Sequence, residues 1–342
     1  MSRPIANLSM LAAALLVSAA AGCSGGEHDT AGSTTTTAST GAATPATATS
    51  TTSGGSAENP HAAAAPTVVP SYADAERAYQ GGKYEEAAGM FRAYTEGNPD
   101  NAWGQYMLGL AAWKSGDDSL ALAAFDAALR LDPKHRKSLF NSARVLLDSG
   151  RPVEALDRVQ QALAIEPLSN EGLRLLGRAR YELGRTDEAI AAYQRALALD
   201  ERDVWAMNNL GYIYIQQGRS EDALRPLARA VEIRSNVPVF QNNFATALER
   251  SGHFTSAAQA YEAALDADST YSKAAVGLER VRAHAPDSDT STVDVADLSR
   301  EFQQQIEEWR TREAATDSVA TVDSVPPAVD SIAPAQEDSA TR

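Results

Sequence analysis

One cysteine, five histidines and an aromatic content of 6% leave this 342-residue chain short of the side chains from which covalent and metal chemistry is built. A single thiol, Cys23, excludes an internal disulfide and any cysteine metal cage. His28, His61, His135, His253 and His284 are scattered, with none at the spacing of a ligand pair or a catalytic relay. A phosphate-cradling glycine loop is missing. The string GCSGG at 22–26 has the outline of a nucleophile elbow, but no strand precedes it and no helix follows to give that motif its strained turn. Neither catalysis nor a metal nor a cofactor is expected. Basic charge is short as well, with 30 Lys and Arg against 45 Asp and Glu, a net charge of −15. The excess is uneven: −2 over 1–67, −4 over 68–285 and −9 over 286–342. No nucleic-acid footprint is expected from that balance.

Large apolar residues are absent from 24–67, which is almost wholly Ser, Thr, Ala, Gly and Pro. Such a stretch buries too little surface to offset the entropy of ordering it, so it reads as a flexible tether. With 44 residues its typical reach is about 33–40 Å. Ahead of it, a basic MSR is followed by the apolar run PIANLSMLAAALLVSAAAG, the layout of an export signal. The run meets AAGC at Ala20–Cys23. These four residues resemble the lipobox of bacterial lipoproteins, which implies cleavage after residue 22 and lipidation of Cys23. Ser24 at the next position implies sorting to the outer membrane, facing the periplasm.

Beyond the tether the chain has a period. From Val68, steps of 34 residues give 68–101, 102–135, 136–169, 170–203, 204–237 and 238–271 without insertion or deletion. Position 15 of each step is glycine (Gly82, Gly116, Gly150, Gly184, Gly218, Gly252) and position 20 is alanine (Ala87, Ala121, Ala155, Ala189, Ala223, Ala257). Position 8 is Gly or Ala throughout, and position 24 is large: Phe91, Phe125, Val159, Tyr193, Leu227, Tyr261. This resembles the tetratricopeptide repeat. The resemblance implies an all-α, right-handed superhelical solenoid of six helix pairs, closed by a helix over 272–285 and flanked by disordered segments. Glycine at 15 suits the left-handed end of each first helix, and small residues at 8 and 20 let the paired helices approach. Pro99, Pro133 and Pro167 stop the second helices of the first three pairs. Glu201, Ser235 and Ser269 replace them later, and Pro226 inside a second helix is expected to kink it.

In that family the first helix of each pair lines a concave groove. The groove positions here are Trp103, Tyr106, Trp113 and Lys114; Lys137, Phe140, Arg144 and Asp148; Arg174, Arg178 and Tyr181; Trp205, Asn208, Tyr212 and Gln216; and Asn242, Thr246 and Arg250. Aromatic and arginine side chains carry much of the energy of protein interfaces, and amides pair with a ligand backbone. Lys137, Arg144, Arg174 and Arg178 read as a basic trough, and a peptide with carboxylates is the expected partner. The carboxylate clamp of chaperone-binding members is not matched, because Tyr72 and Glu76 stand at its first-repeat positions.

The acidic tail supplies an amphipathic stripe of its own. Val295, Leu298, Phe302, Ile306 and Trp309 share one helical face over 294–313. That segment is expected to dock on the repeats, capping or filling the groove. After it, Asp-Ser-Val or Asp-Ser-Ile recurs at 317–319, 323–325 and 330–332 in a stretch that reads as disordered. Taken together, the expectation is a lipid-anchored scaffold that gathers envelope proteins by peptide recognition, similar to repeat lipoproteins of pilus assembly or cell-wall enzyme regulation. A brace for a multimeric outer-membrane assembly, with no dedicated groove, is the alternative.

Overall fold

A computed structural model describes residues 70–284 and 292–322. The signal segment, Cys23, the tether and most of the Asp-Ser-Val/Ile tail lie outside the described residues. What is described is helical throughout, in fourteen helices. First helices of the pairs are α1 (Tyr72–Gln80), α3 (Ala102–Ser115), α5 (Arg136–Asp148), α7 (Asn170–Glu182), α9 (Val204–Gln216) and α11 (Pro238–Arg250). Their second helices are α2 (Tyr84–Gly97), α4 (Asp118–Leu131), α6 (Pro152–Ile165), α8 (Thr186–Leu199), α10 (Ser220–Ile233) and α12 (Phe254–Ala267). The closing helix α13 (Ser272–His284) packs on α11 and α12. A longer helix, α14 (Val295–Val322), follows.

The small residues of the period have a local cause. Every glycine at position 15 has positive φ, between 69° and 89°, a conformation that costs glycine nothing and other residues a steric clash. At position 8 the constraint is a side chain rather than a backbone. A Cβ on Gly211 would stand 2.4 Å from Leu227 Cγ, and one on Gly177 would stand 2.8 Å from the Tyr193 ring. The large residue at position 24 of the same pair occupies the space that a side chain at position 8 would need.

Second helices end at the same position whether or not a proline follows. The same turn follows α8 and α12, where proline is missing, and α4, where Pro133 is present: the Asp200, Asp268 and Asp132 carboxylates accept the N–H groups of Arg202, Thr270 and Lys134, each at 2.9 Å. Pro226 is buried inside α10, which runs unbroken from Ser220 to Ile233.

Stacking of the pairs sets which face is concave. Neighbouring first helices touch one another from α3 to α13, whereas second helices make no comparable contact with each other. The first-helix layer is therefore the more tightly packed, inner one, and open seams run between the second helices outside. The core divides into two clusters. One joins α1–α4 around Phe91, Tyr106 and Phe125; the other runs from α5 to α14 around Leu139, Tyr193, Met207 and Phe240.

Helix α14 docks on the array, but not in the groove. It packs on α10 and α8, both second helices, so among the described residues no helix covers the groove, and the expected capping of it gives way to an outer site. Phe302, Ile306 and Trp309 are buried there and Val295 and Leu298 half-buried, with Phe302 and Trp309 edge to face at 5.7 Å. Ion pairs flank the stripe: Arg225 with Glu301 at 2.9 Å, Arg195 with Glu313 at 3.4 Å, and Arg310 with Glu201 at 3.4 Å. The apolar seam between second helices is what an amphipathic helix needs, and the polar inner face is not.

Candidate functional site

The inner face begins with an aromatic shelf. Trp103, on α3, is 42% exposed, the most open aromatic among the expected groove residues. Its Nε1–H donates to the Tyr72 hydroxyl at 2.6 Å. Its ring lies 5.0 Å from Tyr106 and 5.8 Å from the His135 imidazole. The exposed Lys137 ammonium sits 5.0 Å over the Trp103 ring, a cation–π contact that fixes both. His135 is also the N-cap of α5: Nδ1 accepts the Ser138 N–H at 3.3 Å and lies 2.8 Å from the Ser138 hydroxyl. Burial, with Lys137 and against Asp132, holds this imidazole below the usual histidine range. Trp113 is half-buried against the same core cluster, with Lys114 over its ring at 5.6 Å.

Tyr106 and Phe140 are corrections to the expected groove lining. They are only 6% and 5% exposed and belong to the core. Burial pushes the Tyr106 phenol up to about 12, and its oxygen accepts from Asn141 Nδ2 at 3.3 Å, linking α3 to α5.

The basic trough is the second correction, because its arginines are engaged by carboxylates of adjacent helices. Arg144 on α5 meets Glu171 on α7 at 2.7 Å and Asn141 at 2.8 Å. Arg178 on α7 bridges Asp148 on α5 and Glu182, both at 2.9 Å. Arg174 on α7 lies 3.1 Å from the buried Asp203, the N-cap of α9. Further along, Asn243 donates to Asn208 Oδ1 at 2.9 Å and Arg250 to the Ile215 carbonyl at 2.9 Å, joining α11 to α9. Arg280 on α13 reaches Glu249 on α11 at 2.5 and 2.7 Å. From α3 to α13 a polar rung thus ties each inner helix to the next. The middle of the groove carries as much negative as positive charge, so the physical basis for an acid-seeking trough is removed.

What stays open lies at the two ends and on the ridge between. Trp205 is half-buried and edge to face with Phe240 at 5.0 Å; Tyr212 and Tyr181 pack likewise at 6.1 Å. At the far end a hollow of about 400 Å³ is lined by Asn242, Thr246, Tyr261, Ser272, Lys273, Val276 and Arg280. Asn242 and Thr246 were expected to face the groove, while Lys273 and Val276 on α13 were not. Continuing the 34-residue count into the closing helix puts them at positions 2 and 5, so the groove rule applied one helix further would have found them. Tyr72 and His135 were missed because their roles arise from contacts with Trp103. Among the described residues no cluster of His, Cys, Asp and Glu suits a metal, and no helix is long and apolar enough to cross a membrane.

Four family models match consecutive, overlapping parts of this array. Models described as tetratricopeptide repeats cover 72–136, 112–179 and 206–237, and one described as a TPR repeat covers 177–218. Residues 72–237 carry tetratricopeptide repeats. The helix pair α11–α12 lies beyond these matches and keeps the same geometry. Two solved structures share the fold, the first of them described as a tetratricopeptide repeat protein. One from Parabacteroides merdae has a TM-score of 0.53 at 13% identity, over 61% of this chain and 82% of that one. The APC/C hetero-tetramer Cut9–Hcn1 gives 0.55 at 17%, over 60% of this chain and 41% of that one. A thermophilic TPR protein from Thermus thermophilus gives 0.47 at 21%, over 54% of this chain and all of that one. No curated protein matches the sequence.

Proposed function

We propose that this tetratricopeptide-repeat chain is a scaffold that holds segments of other proteins against its inner face and is itself tethered to the bacterial envelope. The observation that carries the reading is an inner face that no described helix covers: α14 is committed to the outer seam, leaving Trp103, Lys137 and the α11–α13 hollow accessible along one surface. An exposed Trp103 and a half-buried Tyr212 on a rigid helical layer suit an extended or helical peptide. The internally paired arginines argue against charge as the main determinant, so ligands are selected by shape and aromatic contact, with acidic side chains favoured only beside Lys137. The tether is proposed from Ala20–Cys23 and the Ser/Thr-rich linker: lipidation of Cys23, with the array held facing the periplasm from the outer membrane. No catalytic role is assigned.

Photo-crosslinking in intact envelopes tests the groove. Probes at Lys137, Tyr212 and Lys273 should capture the same client, while probes on the outer face at Asp157 or Gln160 should not. Capture from the outer face alone would replace the scaffold with the brace, which is the reading favoured by the internal use of the groove arginines. For the tether, Cys23→Ser should release the protein from membranes and abolish lipid labelling; retention and labelling would refute lipidation at that residue.

A further inference from the structure

The path of α14 across the array is a diagonal that points beyond the helix itself. At its start the Val293 N–H donates to Ser256 Oγ at 2.9 Å, at position 19 of the last pair and near the beginning of α12. Over α10 the contacts are Arg225, Arg229 and Glu232, at positions 22, 26 and 29. Over α8 they are Arg195, Ala198 and Glu201, at positions 26, 29 and 32. The track therefore moves back along the array by one second helix at a time, and on each it lies nearer the C-terminal end. Its next station is the end of α6 and the turn into α7.

That station is the apolar edge of the molecule. Leu168, in the α6–α7 turn, is 71% exposed, more than any other large apolar residue described. Ile165 precedes it, and Leu131 and Leu199, also exposed, occupy the same position at the ends of α4 and α8. Beside Leu131, Arg130 and Lys134 make no ion pair among the described residues, and Arg130 lines an open hollow of about 320 Å³ in the α4–α6 seam. An aliphatic ridge with unpaired cations suits a strand of chain that alternates acid and aliphatic residues.

We propose that the occupant of this edge is the chain's own tail, with Asp323-Ser324-Val325 and Asp330-Ser331-Ile332 laid along Leu168, Ile165 and Leu131. Reach permits it. Among the described side chains the last ion pair from α14 to the array is at Glu313, and the helix runs nine residues further, to Val322, about 13 Å at the helical rise. Ten extended residues, 323–332, then span about 33 Å, enough to pass from α6 to α4. The two aliphatic residues cover the ridge, and the two carboxylates face Arg130 and Lys134. The Asp-Ser-aliphatic repeat is in this reading the continuation of the α14 dock, a strap along the outer edge.

A photo-crosslinking residue in place of Leu168, in the full chain, tests the assignment. Peptide mapping of purified monomer should find crosslinks to 323–335 within the same molecule. Asp323→Asn with Asp330→Asn should lower their yield by about threefold, and raised salt should do the same. A probe at Val153, exposed at the opposite end of α6, should not reach the tail. Crosslinks from Leu168 to the tail of a second copy, to no tail residue, or in equal yield from Val153 would each overturn the proposal.

Discussion

The first two helix pairs and the last three solve the same packing problem under different constraints. In α1–α4 the core is aromatic, the inner face opens at Trp103, and no described helix crosses the outer seams. From α8 to α12 the outer face is crossed by α14, and the inner face is laced by Asn208–Asn243, Arg250 and Glu249–Arg280. In a solenoid each repeat touches only its neighbours, so stability is close to a sum of local terms. Helix α14 breaks that rule by packing across two pairs at once, and Val293 just ahead of it reaches a third. The C-terminal half is thereby built to unfold as one unit, while the N-terminal half keeps the independence and exposure that a binding edge requires.

The largest expected effect breaks this difference. Phe302→Ala removes a fully buried ring from the α14 dock and should cost about 3–5 kcal/mol in the C-terminal unit. Hydrogen exchange should show α8, α10 and α14 losing protection together while α1–α4 are unchanged; equal loss in both halves would erase the distinction. Gly211→Ala places a Cβ within 2.4 Å of Leu227 Cγ and should cost about 1–3 kcal/mol by denaturant titration. Its companion Gly218→Ala would strain the positive φ of 75° although the added Cβ meets no neighbour. Arg178→Met leaves Asp148 and Glu182 without their shared cation and should cost about 1–3 kcal/mol. Lys137→Ala, on the open surface, should stay within about 0.5 kcal/mol. The binding consequence is reversed between the two regions: Trp103→Ala should weaken client capture by about tenfold or more while barely moving stability.

The smallest effect is a pH dependence of the N-terminal half. His135 titrates lower in the folded chain than in the unfolded one, chiefly through burial. The unfolded state therefore binds more protons in the window below the ordinary histidine value of about 6.5. Stability from this group is complete above that value and is lost as pH falls through the folded one. Thermal melts should show a decline on acidification that His135→Asn, which retains an N-cap acceptor, removes.

Much of the repeat was legible because its signals are local. Glycine at position 15 is demanded by a backbone angle, and alanine at 20 and the large residue at 24 by a partner seventeen or fewer residues away, so a 34-residue count recovers them. The amphipathic stripe of 295–309 was equally plain. Its destination was not, because a one-face helix declares only that it needs an apolar surface. The inner-face arginines failed for a related reason. Along one helix Arg178 shows only Glu182 and Arg144 and Arg174 look free, whereas Asp148, Glu171 and Asp203 come from the neighbouring repeats. Tyr106 and Phe140 likewise occupy groove positions in the count, yet the stacking turns them into core.

By itself, then, the order of residues settled the helix pairs, their boundaries and their period, since these follow from dihedral preferences and the spacing of small and large side chains within a single repeat. Tertiary structure alone decided which cations are neutralised, which aromatics stay open and which face receives α14. Those outcomes depend on distances between residues about thirty to a hundred positions apart, set by how each pair stacks on the last and encoded in no short stretch of sequence.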